Sequence, residues 1–244
     1  MAEIRGIGSQ GKFLNAAKYG TFLNPDIIKG AILVPNSFYY AVSDNDADEV
    51  TVASLLTALS ALMKNDSQAA RGQHIGPFEQ LDDKSEAPQV QTLGYGKVVD
   101  TNRGVYNWDF TFDEGGLQYF LSVLSYRGKV GEYKVIFYDA KGNIYAAKKK
   151  DDTGKVIGFK GIKMSRFYPA DWKLANKQSE AVYMVSISLA NSAEWNEELY
   201  VYQTGTDIQS FIEPYYVQDL TLLPATATGT GVFPVTVRTA MGKV

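Results

Sequence analysis

The chain has 244 residues and a net charge of −3; 45% of its residues are hydrophobic and 21% are charged, which excludes an intrinsically disordered protein and allows a substantial core. It has no cysteine and a single histidine, His74, which excludes disulfide frameworks, thiolate zinc sites, cysteine nucleophiles and sites that need two histidines. The 16 Tyr, 12 Phe and 22 Gly favour strands and turns, so we predict a mainly β fold.

The first 31 residues contain five glycines and little hydrophobic periodicity, which predicts an N-terminal arm over residues 1–31. Two nucleotide-binding patterns begin at Gly6, but neither has its context. Only five residues precede Gly6, so no buried strand leads into a dinucleotide loop, and Phe13 stands where a P-loop needs Ser or Thr. We therefore expect no nucleotide cofactor.

Residues 31–42 read as a strand that Pro35 either splits in two or confines to a sheet edge. A helix follows, capped by Asp48 or Thr51, because apolar residues recur at helical spacing. That apolar stripe, which we expect to be core or a subunit contact, comprises Val52, Leu55, Leu56, Leu59, Leu62 and Met63.

Residues 65–88 are polar and show no periodicity, and this is too long for an ordinary connection. We predict a long loop over 65–88 that can reach an adjacent subunit. His74 stands in this segment and is expected to be an ordinary loop imidazole. Strand character returns over residues 89–100.

Polar and apolar side chains alternate from Tyr106 to Phe112, which predicts a half-buried strand. Its polar face carries Asn107, Asp109 and Thr111. Asp113 is placed to cap a following helix, and Gly128 is placed to end it with a left-handed backbone.

Two β-hairpins follow, with the turn sequences DAKGN and DDTG, and Gly142 can adopt the positive φ that the first turn requires. Residues 182–189, 199–203 and 215–223 are further predicted strands. Residues 224–244 read as a C-terminal tail that adds a strand elsewhere.

The predicted architecture is therefore a β-sandwich or barrel with one flanking helix, a second helix, and extended arms and loops. Its β-rich domain spans residues 32–223, between the arm 1–31 and the tail 224–244. No run approaches the roughly 20 apolar residues of a membrane span, and the opening residues lack the apolar core of a signal peptide. We expect a soluble protein made in the cytoplasm, unless a larger particle carries it out.

Charge is distributed unevenly along the chain. Residues 127–177 hold thirteen Lys and Arg against five acids, a net +8, whereas residues 178–223 hold seven acids and no base. Solvated turns explain such a pattern, and so does a pair of oppositely charged surfaces that favours head-to-tail packing of identical subunits.

The order of elements over residues 89–202 runs strand, strand, helix, hairpin and strands, and includes the turn DAKGN before Ile144 and the strand AVYMVSISLA. This order resembles the tail-tube and tail-terminator proteins of tailed bacteriophages, a group that includes the tube protein of type VI secretion. The first 88 and last 20 residues exceed a minimal tube subunit, so a neck ring or tail adaptor remains an alternative to a tube.

The resemblance implies a non-enzymatic virion protein, assembled in the host cytoplasm as stacked homo-oligomeric rings, commonly hexamers, beside other tail or neck proteins. It implies transient, non-specific contact with passing DNA and no membrane. Asn107, Asp109 and Thr111 are then the candidates for the channel-facing strand. No catalytic, cofactor-binding or metal-binding residue is expected.

The alternative is a carbohydrate- or surface-binding β module of a phage fibre or adhesin, since tryptophan rings stack on sugars. Trp172 and Trp195 are its candidate ligand-binding residues, because their local sequences favour exposure whereas Trp108 alternates with core positions. An enzyme that uses two carboxylates is a third hypothesis, and no motif pairs the acids that it would need.

Overall fold

The structure is a computed structural model. It describes residues 3–6, 26–42, 49–65, 67–87, 89–92, 94–95, 98–102, 104–112, 116–171, 182–205, 207–208, 218–222, 235–239 and 242–243.

Most of the described chain is strand. The strands are β1 (Glu3–Gly6), β2 (Ile28–Pro35), β3 (Tyr39–Ala41), β4 (Gln73–Ile75), β5 (Gln80–Asp83), β6 (Gln89–Thr92), β7 (Val98–Asn102), β8 (Asn107–Phe112), β9 (Tyr133–Asp139), β10 (Asn143–Lys150), β11 (Val156–Lys160), β12 (Ile162–Pro169), β13 (Tyr183–Leu189), β14 (Leu199–Gln203), β15 (Gln218–Leu222), β16 (Val235–Thr239) and β17 (Gly242–Lys243). The described helices are α1 (Glu49–Met63), α2 (Gly116–Leu124), α3 (Ser192–Asn196) and a 3₁₀ turn, Gln68–Ala70. The predicted mainly β class is confirmed.

Twelve strands form one curled, mostly antiparallel sheet with the order β1-β14-β10-β9-β12-β13-β8-β5; β2 and β4 branch from β9, and β11 and β3 branch from β10. The sheet curls because β10 and β12 share one edge of β9. The chain passes from β11, paired with β10, to β12, paired with β9, at Gly161. A Cβ there would lie 2.5 Å from the Cβ of Lys134, so this crossing requires glycine.

The sheet is buried on both faces in its centre. On one face, α2 packs through Tyr119, Phe120 and Val123 on the first core. On the other face, three leucines of α1 (Leu55, Leu56 and Leu59) pack on the second core, between Ile136 and Tyr138 of β9 and their neighbours. Each buried leucine contributes roughly 2 kcal/mol, which stabilises a helix that would be marginal alone.

Several predicted elements are confirmed. Trp108, Phe110 and Phe112 alternate into the first core. Pro35 ends β2, and the chain resumes as the separate strand β3. Gly142 has a φ of 77°, as the hairpin turn requires. Gly128 has a φ of 78°, but the prediction that it ends the helix is wrong in position, because α2 ends at Leu124 and Gly128 closes the turn that follows. The expected cap at Asp113 lies outside the described residues.

The predicted long loop over 65–88 is wrong in its centre. β4 pairs with β2, and β5 pairs with β8 as the terminal strand of the sheet. Strands of three and four residues are too short to show a period, and their neighbours in the sheet hold them in place. The single strand expected over 89–100 is also wrong, because β6 and β7 pair as a hairpin that turns near Tyr95.

Both ends of the chain pair internally. β1, within the predicted arm, adds a parallel strand to β14, and β2 already begins at Ile28. β16, within the predicted C-terminal tail, pairs with β15 of the same chain, and β17 pairs with β16. The tail therefore finds a partner nearby in sequence, where we expected it to add a strand elsewhere.

Candidate functional site: the polar sheet face

One face of the strands β5, β8, β13 and β12 is polar, and it lies opposite the first core. Residues that face one another in an antiparallel pair lie on the same face, so the register defines this surface. Its rows, which we call the polar sheet face, are Gln80–Thr111–Met184, Asp82–Asp109–Ser186–Tyr168 and Asn107–Ser188–Arg166.

Asp109 lies at the centre of the polar sheet face and is 7% exposed. The hydroxyl of Ser186 donates to its Oδ1 at 2.5 Å, and the ammonium of Lys84 donates to its Oδ2 at 2.5 Å. Burial opposes ionisation, but the hydrogen bonds from Lys84 and Ser186 and the charges of Lys84 and Arg166 outweigh it and lower the pKa of Asp109. Asp109 is therefore held as a carboxylate.

Lys84 joins two carboxylates that face each other across β5 and β8. Its Nζ also lies 3.5 Å from Oδ2 of Asp82, the residue directly opposite Asp109. Hydrogen bonding and the charge of Asp109 raise the pKa of Lys84. Two adjacent like charges would otherwise repel, so this lysine makes the close approach of the acids possible.

Asn107 and Thr111 lie on either side of Asp109, and both are half-buried. The hydroxyl of Ser188 donates to Oδ1 of Asn107 at 2.9 Å, and the backbone N–H of Asn107 donates to Oγ of Ser85 at 3.2 Å. The three predicted channel-facing residues thus share one face, and two of them are fixed by serines of β13.

Three further residues contribute to the polar sheet face, and the sequence predicts the position of some of them but not of others. Ser186 and Ser188 alternate with buried Val185 and Ile187, so the period of β13 places both serines on its polar face. Lys84 follows the four-residue strand β5 in a segment without periodicity, and no signal in the sequence points to its contact with Asp109.

Trp195 is half-buried and belongs to an aromatic cluster beside the first core. Its ring centroid lies 5.0 Å from that of Trp108, 5.9 Å from Phe137 and 6.0 Å from Tyr145. It is thus packed against protein on one side rather than fully exposed. Trp172 lies outside the described residues. A ligand-binding role for these two tryptophans stays a prediction.

His74 is a buried strand residue and not the loop imidazole that we expected. It lies in β4, and its Nε2 is 2.6 Å from the hydroxyl of Tyr138. Burial lowers the pKa of His74 to about 4. The imidazole therefore packs in the fold as a neutral group at ordinary pH.

The polar sheet face is nearly neutral, because it carries two carboxylates, Asp82 and Asp109, and two cations, Lys84 and Arg166. Within the described ranges, no three His, Asp or Glu side chains are grouped as metal ligands would be. None of the described helices has the length and apolar character needed to cross a membrane. Comparisons with family models, curated proteins and solved structures found no significant similarity to this chain.

Proposed function

We propose that this chain is a non-enzymatic structural subunit of a bacteriophage tail or neck, and that it assembles into a ring around a channel for DNA. The polar sheet face then lines the channel, with Asn107, Asp109 and Thr111 on the channel-facing strand. The ring stacks on further copies or on other tail and neck proteins, and its place is the assembled virion.

The observation that supports this proposal is the internal pairing of charge on the polar sheet face. A protein cation that neutralises a phosphate releases counterions and so gains affinity for DNA. Lys84 is instead occupied by Asp109 at 2.5 Å and by Asp82 at 3.5 Å. With Arg166, the other cation of this face, the positive charges number two and are balanced by these two carboxylates. A surface of this kind contacts DNA weakly and lets it pass, as a conduit requires.

The first experiment tests whether rings form. Purified protein is measured by light scattering over a range of concentration and salt, and by negative-stain electron microscopy. We expect closed rings with a central hole. A compact monomer under all conditions would contradict the proposal.

A second experiment tests which surface faces the hole. Because the chain has no cysteine, a single Thr111→Cys substitution gives one site for a maleimide-linked gold particle. Thr153→Cys, in the exposed turn between β10 and β11, is the matched control. We expect gold inside the hole for Thr111→Cys and outside it for Thr153→Cys. Gold on the outer rim in the Thr111→Cys variant would contradict the assignment of the polar sheet face to the channel, although the proposal of a ring would still stand.

A further inference from the structure

An exposed leucine among acidic residues lies on β5, the last strand in the order of the described sheet. Leu81 of β5 is 40% exposed although it is a large apolar residue. The side chains of Glu79, Asp82, Asp83 and Glu86 are exposed on the same short segment. We call these five residues the acidic edge. Among the described strands, β5 pairs only with β8, so no described strand lies along its outer side.

An exposed tyrosine among lysines marks a second surface. Tyr39 of β3 is 53% exposed and lies directly opposite Lys160 of β11. The ammonium of Lys149 lies 5.8 Å from the centre of the Tyr39 ring. Lys163 lies directly opposite Lys134 across β12 and β9. We call these five residues the tyrosine–lysine patch.

The positive charge of the tyrosine–lysine patch is only partly balanced. Burial, together with the charges of Lys160, Lys163 and Lys149, lowers the pKa of Lys134, which shows that these ammonium groups act on one another. Two nearby acids balance part of this charge. The charge of Glu194 acts to raise the pKa of Lys134, and Lys150, with a smaller contribution from Lys160, lowers the pKa of Glu198. Glu194 accepts the backbone N–H of Lys163 at 2.7 Å, and Glu198 pairs with Lys150 at 2.8 Å. Among the described residues, no ion pair to a carboxylate involves the four lysines of the patch.

The two surfaces match in form and are opposite in charge. Each has one exposed large side chain, Leu81 or Tyr39, beside charges that are mainly of one sign, which is the usual anatomy of a protein interface. Lys84 is the cation within the acidic edge, and it is paired with Asp109 and Asp82. Opposite rims steer association and exclude wrong partners. In one copy, β8 and β13 lie between β5 and β12, so the two surfaces occupy different places on the sheet.

We propose that the acidic edge of one copy docks on the tyrosine–lysine patch of a second copy of this chain. Since the two surfaces differ, the contact is heterologous, and repetition of such a contact closes a ring when the rotation between copies allows it. This inference rests on the proposed function, because it assigns the contact between neighbours in the proposed ring.

Charge reversal on each side tests the contact. Asp83→Lys/Glu86→Lys takes the net charge of the acidic edge from −4 to 0, and Lys149→Glu/Lys160→Glu takes that of the patch from +4 to 0. The matched controls, Glu132→Lys/Asp152→Lys and Lys129→Glu/Lys155→Glu, make the same changes of charge outside both surfaces. Oligomer size is measured by light scattering as a function of concentration, and folding is checked by circular dichroism.

We expect each reversed variant to dissociate at protein concentrations at least about tenfold above those that dissociate the wild type, and both controls to assemble normally. An equimolar mixture of the two reversed variants should associate again, because the unchanged patch of one variant then meets the unchanged acidic edge of the other. If a reversed variant does not fold, Tyr39→Ser and Leu81→Ser remove the apolar centres without a change of charge and should weaken assembly in the same way.

The outcomes separate this inference from the proposed function. If both reversed variants form oligomers of the same size as the wild type, the proposed contact is wrong and the proposal of a ring still stands. Reversed variants that dissociate and do not reassemble when mixed also overturn it. If Lys149→Glu/Lys160→Glu keeps the oligomer and loses retention on DNA, the patch is a nucleic-acid surface and not a subunit contact. A wild-type protein that stays monomeric overturns the ring and the contact together.

Discussion

The ammonium nitrogen of Lys84 lies 2.5 Å from Oδ2 of Asp109, and it comes from the chain just beyond the terminal strand β5. This ion pair joins the chain that follows β5 to β8, because Asp109 is a residue of β8. Only the carboxylate is shielded, since 10% of the Asp109 side chain is exposed against 53% of the Lys84 side chain.

Asp109→Asn should destabilise the fold because it removes the charge that organises Lys84 and Ser186. We expect the free energy of unfolding to fall by about 1–3 kcal/mol, the range for a buried charged hydrogen bond. Asp82→Asn is the matched control on the facing strand and, as an exposed substitution, should change stability by less than about 0.5 kcal/mol. Urea denaturation of both variants measures the difference. Equal effects would show that Asp109 has no special role.

The pattern of β8 and the contact at Asp109 differ in how far the sequence predicts them. Six alternating residues indicate which side chains of β8 enter the core, because a strand with one buried face has a period of two. The partner Lys84 follows a strand whose position is set by pairing with β8 and not by its own pattern. The sequence therefore predicts the polar face of β8, but it does not predict that Lys84 pairs with Asp109 on that face.

Acid should destabilise the protein through His74, whose pKa falls from the usual 6.5 to about 4 on burial. Between these two values the unfolded chain binds a proton that the folded chain does not, so stability decreases as the pH falls. The expected loss from this group between pH 6.5 and pH 4 is about 3 kcal/mol, and above pH 6.5 its contribution is constant.

Because His74 is the single histidine, its ring protons can be followed directly by NMR. The imidazole should stay neutral until the pH nears 4, and His74→Gln should flatten the dependence of stability on pH between 4 and 6.5. An imidazole that titrates near pH 6.5 in the folded protein would refute the buried, neutral state.

The burial of His74 could not be read from its surroundings in the sequence. The segment QHIGP has glycine and proline beside the histidine, which favours a loop. In the structure, β4 is short and lies along β2, with Ile32 directly opposite His74. A partner about forty residues away, and not the local sequence, places this imidazole against Tyr138.

Gly128→Ala should destabilise the protein through backbone strain alone. Gly128 has a φ of 78°, and an added Cβ would meet no atom within 4 Å. The left-handed conformation costs a residue with a Cβ about 1 kcal/mol. Gly131→Ala is the matched control, since a Cβ there also enters open space and its φ is not positive. Thermal unfolding should show a lower midpoint for Gly128→Ala only, and an equal shift in both variants would contradict the strain.

Trp195 should contribute to stability through its contact with Trp108, whose ring centroid is 5.0 Å away at an interplanar angle of 66°. The short helix α3 holds it there: Asn191 caps the helix by accepting the backbone N–H of Ala193 at 2.9 Å, and buried Glu194 accepts the backbone N–H of Lys163 at 2.7 Å. Trp195→Ala should lower the free energy of unfolding by about 2–4 kcal/mol, and Trp195→Phe by less.

A double-mutant cycle with Trp108→Phe should give a coupling of about 0.5–1.5 kcal/mol between the two rings. The same variants test the alternative function, a carbohydrate-binding module, since an indole that stacks on a sugar needs one exposed face. If Trp195→Ala abolished binding on a glycan array and left the unfolding free energy unchanged, Trp195 would be a ligand contact and not a structural one. Trp172→Ala on the same array tests the other candidate residue. Specific binding that is lost in that variant alone would favour the surface-binding module over the proposed oligomeric ring.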